Sequence, residues 1–152
     1  MRPTHFIAVA LIAALTPTLS IADCVSAPPG HGILTTTQLT NLMVGSTACV
    51  AKVGGGWENQ EQHSAGVVTD YKKGPTDPID PTTVIGTYAI STAGDGTSGL
   101  ISYNYTAGGA FTYYILGNTS TPSPRAGSFD FCTSIGGTSV PATIKKSIGS
   151  CP

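Results

Sequence analysis

Glycine- and proline-rich turn clusters recur along most of this chain and leave only short windows between them, and nothing else in the sequence restricts the fold so strongly. Gly54-Gly55-Gly56, Ala93-Gly94-Asp95-Gly96, Ala107-Gly108-Gly109 and Ser120-Thr121-Pro122-Ser123-Pro124 all carry residues suited to turns. From Gly45 onward the windows alternate rather than follow a helical period. They predict strands over Ser46 to Val53, Trp57 to His63, Gly66 to Lys72, Val84 to Ser91, Leu100 to Thr106, Ala110 to Leu116, Gly127 to Cys132 and Val140 to Ser147. With no helices between the strands, a parallel βαβ arrangement is excluded. Closing the sheet is the most economical way to protect its edges. The expected fold class is therefore all-β, a small antiparallel up-and-down barrel of about eight strands, with a two-sheet β-sandwich as the alternative. One oddity stands out. In Val84 to Ser91 and Leu100 to Asn104 the two faces of the strand are not sorted by polarity.

Ahead of the strands, Thr35, Thr36 and Thr37 can cap a short helix that puts Leu39, Leu42 and Met43 on one side, with Gly45 placed to end it. Further upstream, basic Arg2 with His5, an apolar run from Phe6 to Leu15 and a polar, turn-prone Thr16 to Ala22 stand in the order of a secretory signal peptide. The apolar run is roughly ten residues, half the length of a membrane span. Small residues at Ser20 and Ala22 predict cleavage after Ala22. Lipidation at Cys24 is not expected, because the charged Asp23 precedes it. Residues 1–22 are thus read as signal peptide, 23–34 as an extended arm rich in Pro28, Pro29 and Gly30, and 35–152 as one barrel domain with a short leading helix. The expected location is periplasmic or extracellular, with no membrane span.

Seven basic residues against eight acidic ones, a net of −1, exclude the broad basic stripe that nucleic-acid binding needs. The doublets Lys72-Lys73 and Lys145-Lys146 read as solvated charges at loops or strand ends. The four cysteines, Cys24, Cys49, Cys132 and Cys151, are an even number in an exported chain and read as two disulfides. No CxxC pair points to zinc. Three pairings are open; Cys49 with Cys132 and Cys24 with Cys151 is preferred, since it ties the first strand to the last and one terminus to the other.

Two short motifs carry a resemblance. Gly86-Thr87-Tyr88, opening a strand ahead of β-hairpins, resembles the Gly-x-Trp first strand of lipocalin- and avidin-type barrels, with Tyr in place of Trp. Leu39-Thr40-Asn41-Leu42-Met43-Val44-Gly45-Ser46-Thr47, together with that strand and Phe129-Asp130-Phe131-Cys132, resembles small secreted bacterial proteins of unknown function. The resemblance implies a β-barrel with an interior or rim suited to ligands, and it implies no particular ligand.

Read as a strand, Trp57 to His63 sets Trp57, Asn59, Glu61 and His63 on one face. Trp57 would supply a flat apolar wall, and Glu61 and His63 directed hydrogen bonds, as a glycan or small polar ligand requires. Tyr103, Tyr105, Tyr113 and Tyr114 fall in two consecutive strands, where cross-strand aromatic packing or a binding surface would each explain them. The candidate ligand-binding residues are Trp57, Glu61, His63, Tyr103, Tyr105 and Tyr113. Asp70, Asp77 and Asp80 could offer oxygens to calcium, but the prolines around them mark a rigid connection instead, and no metal or cofactor is expected. Asn104-Tyr105-Thr106 and Asn118-Thr119-Ser120 match the glycosylation acceptor pattern.

There is no Gly-x-Ser-x-Gly elbow and no free thiol to serve as a nucleophile. Paired carboxylates drawn from Glu58, Glu61, Asp70 and Asp130 are the remaining catalytic option, and their separation depends on the fold. The expected function is a non-enzymatic exported barrel that binds a small molecule or glycan. The alternatives are a protein-binding module, such as an inhibitor of an extracellular hydrolase with the rigid Gly74 to Pro81 loop as its wedge, and a structural component of an envelope or extracellular assembly.

Overall fold

The structure is a computed structural model that describes Cys24 and residues 30–72, 83–119 and 126–152. The expected signal segment, most of the arm, the Gly74 to Pro81 wedge and the Ser120 to Pro124 turn lie outside the described residues. Strand β1 (His31–Ile33) precedes helix α1 (Thr36–Met43). Then follow β2 (Ser46–Ala51), β3 (Trp57–Ser64), β4 (Val67–Lys72) and β5 (Thr83–Thr92). The last four strands are β6 (Gly99–Tyr105), β7 (Gly109–Asn118), β8 (Gly127–Cys132) and β9 (Ser139–Lys145).

From β2 to β9 every strand pairs antiparallel with the next, and β9 pairs back onto β2, closing an eight-stranded barrel. The sheet has no second layer, so the sandwich alternative is not supported. All eight expected strands are present, with ends that move by at most about two residues. The ninth strand, β1, lies in the stretch read as an arm. Leu116 pairs with Ile33 of β1 and with Asp130 of β8, while Tyr114 pairs with Leu100 of β6 and Cys132 of β8. Strand β1 therefore continues the edge of β7 that β6 vacates.

Helix α1 begins at a capping box: Thr35 Oγ1 accepts from Gln38 N–H at 3.3 Å and Gln38 Oε1 accepts from Thr35 N–H at 3.0 Å. It packs where β5 ends and β2 and β6 begin, and so covers one end of the barrel. Leu39, Leu42 and Met43 join Leu34, Ile101, Ile115 and Ile144 in a fully buried apolar floor. Gly45, with φ +74°, takes the left-handed turn that ends the helix. Lys146, read as a solvated charge, instead donates from Nζ to the carbonyls of Asn41, Leu42 and Val44. A cation there satisfies groups that have no partner inside the helix and opposes the negative end of its dipole.

The described cysteines form two disulfides, Cys24–Cys132 and Cys49–Cys151, which corrects the preferred pairing. Cys49 pairs with Thr143 of β9, and Cys132 with Ser139 of the same strand. With β9 between them and four residues of offset along it, β2 and β8 hold these cysteines well over the roughly 7 Å of Cα separation that a disulfide spans. The Cys49 and Cys132 side chains each face outward and meet the chain terminus that crosses that part of the wall. Thr47 Oγ1 donates to Ser147 O at 2.8 Å, and Gln60 Oε1 accepts from Cys151 N–H at 2.8 Å, so the C-terminal tail runs along the outside of β2 and β3.

Candidate functional site

The end of the barrel opposite α1 is open, and the residues turned into it are polar and aromatic. This explains why neither strand face sorted by polarity: the lumen itself changes character along the axis. On β6 the inward series is Ile101, Tyr103, Tyr105, and on β3 it is His63, Glu61, Asn59, counted from floor to mouth. Ala48, Val50, Phe131, Val140 and Ala142 complete the wall from β2, β8 and β9.

Glu61, Tyr103, Tyr105 and Tyr113 converge with Asn59 on a cleft of about 130 Å³. A second cleft, of about 290 Å³, adjoins it and shares Asn59, Glu61 and Tyr105; Asp70, Ile85, Ala107 and Gly108 form the rest of its lining. Glu61 Oε1 accepts from Asn59 Nδ2 at 2.9 Å, and Glu61 Oε2 accepts from Tyr105 O–H at 2.8 Å. Since Tyr105 comes from β6 and Glu61 from β3, this bond crosses the lumen. The tyrosine rings form a continuous array. Tyr103 and Tyr105 lie parallel, with centroids 5.5 Å apart, and Tyr113 meets Tyr103 edge-on at 6.1 Å and Phe131 edge-on at 5.9 Å. Such packing fixes the rings in place before any ligand arrives.

Burial pushes the Glu61 carboxyl above its ordinary range, and the negative charge of Asp70, its pairing partner on β4, pushes the same way; the bonds from Asn59 and Tyr105 oppose this. Burial likewise pushes the hydroxyls of Tyr103, Tyr105 and Tyr113 up, and Glu61 reinforces the effect, so all three stay protonated donors.

His63 lies one layer below. Its Nε2 and the Tyr103 hydroxyl are 2.9 Å apart, and its ring sits edge-on to Tyr88 at 5.1 Å and to Tyr103 at 5.6 Å. It is fully buried, and that burial drives its pKa down to about 4, outweighing the opposing hydrogen bond with the Glu61 backbone. His63 therefore does not line the cleft; as a neutral ring it supports Tyr103 from beneath.

Trp57 does not join the site either. Simple alternation placed it with Asn59, Glu61 and His63, but the β2–β3 register shifts between Val50 and Ala51, so that Val50 pairs with Asn59 and Ala51 with Trp57. The extra residue is a β-bulge, and it reverses which way the strand faces at its start. Trp57 turns outward and its Nε1–H donates to Pro152 O at 2.9 Å.

Asn59, Val50 and Phe131 were not among the candidates, although they line the clefts, and Asp70 was considered only as a calcium ligand or a catalytic carboxylate. Alternation did set Asn59 beside Glu61. Asp70 joins only because β4 pairs with β3 in a register that brings it opposite Glu61. Among the described residues no group of three or more His, Cys, Asp or Glu side chains is placed to hold a metal ion.

The fold and site together define a class: a disulfide-bonded, closed antiparallel β-barrel, floored by a helix and open at a mouth that combines aromatic rings with a buried carboxyl. Its two disulfides fit an oxidising, exported setting. No helix among the described residues is long and apolar enough to cross a membrane. Comparison with protein families, with curated proteins and with solved structures found no match to this chain.

Proposed function

We propose that this is an exported, non-enzymatic barrel that binds a small molecule at its open mouth. One observation carries the reading: Glu61, Tyr103, Tyr105 and Tyr113, from three different strands, line a single cleft with a largely apolar opposite wall. Concave, mostly apolar sites with a few converging polar groups are the usual form of small-molecule pockets, and the adjoining space of about 290 Å³ lies at the small end of their range. Amide NMR of the disulfide-bonded protein against a mixed library of fragments and monosaccharides tests this. Binders should shift the resonances of residues around Glu61, Tyr103 and Tyr113, and Tyr113→Ala should weaken them by about tenfold or more. Shifts confined to the outer wall, or none at all, would overturn it.

A second reading is favoured by Glu61 and Asp70, which occupy one cleft as directly paired residues. Paired residues on adjacent strands have Cβ atoms about 5 Å apart, close to the carboxyl spacing of retaining glycosidases. Against it, both Glu61 oxygens already accept hydrogen bonds. Turnover of aryl glycosides that disappears in both Glu61→Gln and Asp70→Asn would establish hydrolysis and displace the binding reading.

A further inference from the structure

The rings and the carboxyl that line the mouth point to a particular ligand charge. Glu61 is almost wholly removed from water, and the hydrogen bonds it receives come from the neutral groups of Asn59 and Tyr105. Asp70, on the neighbouring strand, adds negative potential rather than relieving it. Among the described residues no cation partners this carboxyl; a buried carboxylate without one is costly, and a ligand that brings the positive charge recovers the difference. The same space is bounded by Tyr103, Tyr105 and Tyr113, whose π faces attract cations and repel anions.

The rest of the wall narrows the choice. Ala48, Val50, Phe131, Val140 and Ala142 are apolar, so a sugar would lose water from several hydroxyls and find too few partners for them. An alkylated ammonium suits such a wall, because its carbon substituents are apolar while its charge is diffuse. A space of about 130 Å³ is of the size that admits a compact group of a few carbon atoms.

We infer that the mouth of the barrel binds an organic cation, a small alkylammonium compound held between the Glu61 carboxylate and the rings of Tyr105 and Tyr113, with Tyr103 stacked against Tyr105. This rests on the cleft-binding reading above and names the ligand class for that same site. Binding draws the proton off Glu61, so affinity rises with pH until the carboxyl is fully ionised.

The test compares choline with its uncharged carbon isostere, dimethylbutanol, on the disulfide-bonded protein, by NMR titration at several pH values. Choline should bind at least about tenfold more tightly, with shifts centred on Tyr103, Tyr105 and Tyr113, and should bind more tightly at pH 8 than at pH 5. Glu61→Gln, which keeps the shape of the side chain and one of its two acceptor oxygens, should abolish both the preference and the pH dependence, while Glu58→Gln on the exposed bulge should keep them. If Glu61→Gln fails to give a folded spectrum, Tyr113→Leu serves instead and should weaken choline severalfold with little effect on dimethylbutanol. Equal binding of the two probes, or tighter binding of glucose or N-acetylglucosamine at the same resonances, would overturn the cation and leave the cleft-binding reading standing. Silence from choline while library fragments shift these resonances has the same meaning. Silence from every probe overturns both.

Discussion

His63 is the residue where burial has the sharpest consequence. Sealed beneath the tyrosines, it takes up a proton only near pH 4, whereas in the unfolded chain it does so near 6.5. Between those values the unfolded state binds more protons, so this group's contribution to stability is complete above pH 6.5 and is lost as pH falls towards 4. The size is on the order of 3 kcal/mol. Glu61 works in the opposite sense: its folded pKa is raised, so the native state gives up stability as pH rises from the unfolded value through the folded one. Asp70 faces Glu61 from β4, and Tyr88 and Tyr103 face His63 from β5 and β6. Urea unfolding from pH 7 to pH 4 should therefore show an acid-side loss that His63→Gln flattens. Glu61→Gln should instead raise the melting temperature near pH 8 and give little gain near pH 4. An acid-side slope that is the same in the wild type and in His63→Gln would contradict the buried, neutral imidazole.

At the scale of elements, the turns decide how well each hairpin matches the twist of its strands. Ser64 and Val67 are joined through Ala65 and Gly66, both left-handed, with φ of 49° and 83°. Such a two-residue turn suits Asn-Gly better than Ala-Gly, because an alanine Cβ is strained at positive φ whereas asparagine tolerates it. Ala65 is exposed, so the substitution touches nothing else. Ala65→Asn should stabilise the protein by about 0.5–1 kcal/mol, read as a higher urea midpoint with an unchanged slope. The helix and the strand windows were legible in the sequence for the same reason that this turn can be tuned: capping, turn chemistry and alternation are interactions between near neighbours. The outward turn of Trp57 was not legible. A bulge depends on how two strands settle against each other, and a one-residue slip reverses every side chain beyond it.

Across the whole molecule, closure and stapling act together. The barrel leaves no free edge among its eight strands, and each disulfide fastens one terminal segment to the outer wall. The cysteines of the two bonds are 108 and 102 residues apart. In the chain-entropy account, closing a loop of that size stabilises the fold by about 4.7 kcal/mol. Peptide mapping without reduction should recover Cys24 joined to Cys132 and Cys49 joined to Cys151, and a Cys49–Cys132 peptide would contradict the fold. Replacing Cys49 and Cys151 together by serine should lower stability by about 2–4 kcal/mol and free the tail that holds Trp57.

By itself the sequence determined the all-β class, helix α1 with its cap, the position of each barrel strand and the even number of cysteines, because each of these is written in residues a few positions apart. Tertiary structure alone decided which cysteines meet, which way Trp57 turns, and that Glu61 shares one cleft with three tyrosines and an adjoining one with Asp70. Those outcomes follow from strand register and from closure of the sheet, which bring together residues that no local pattern links.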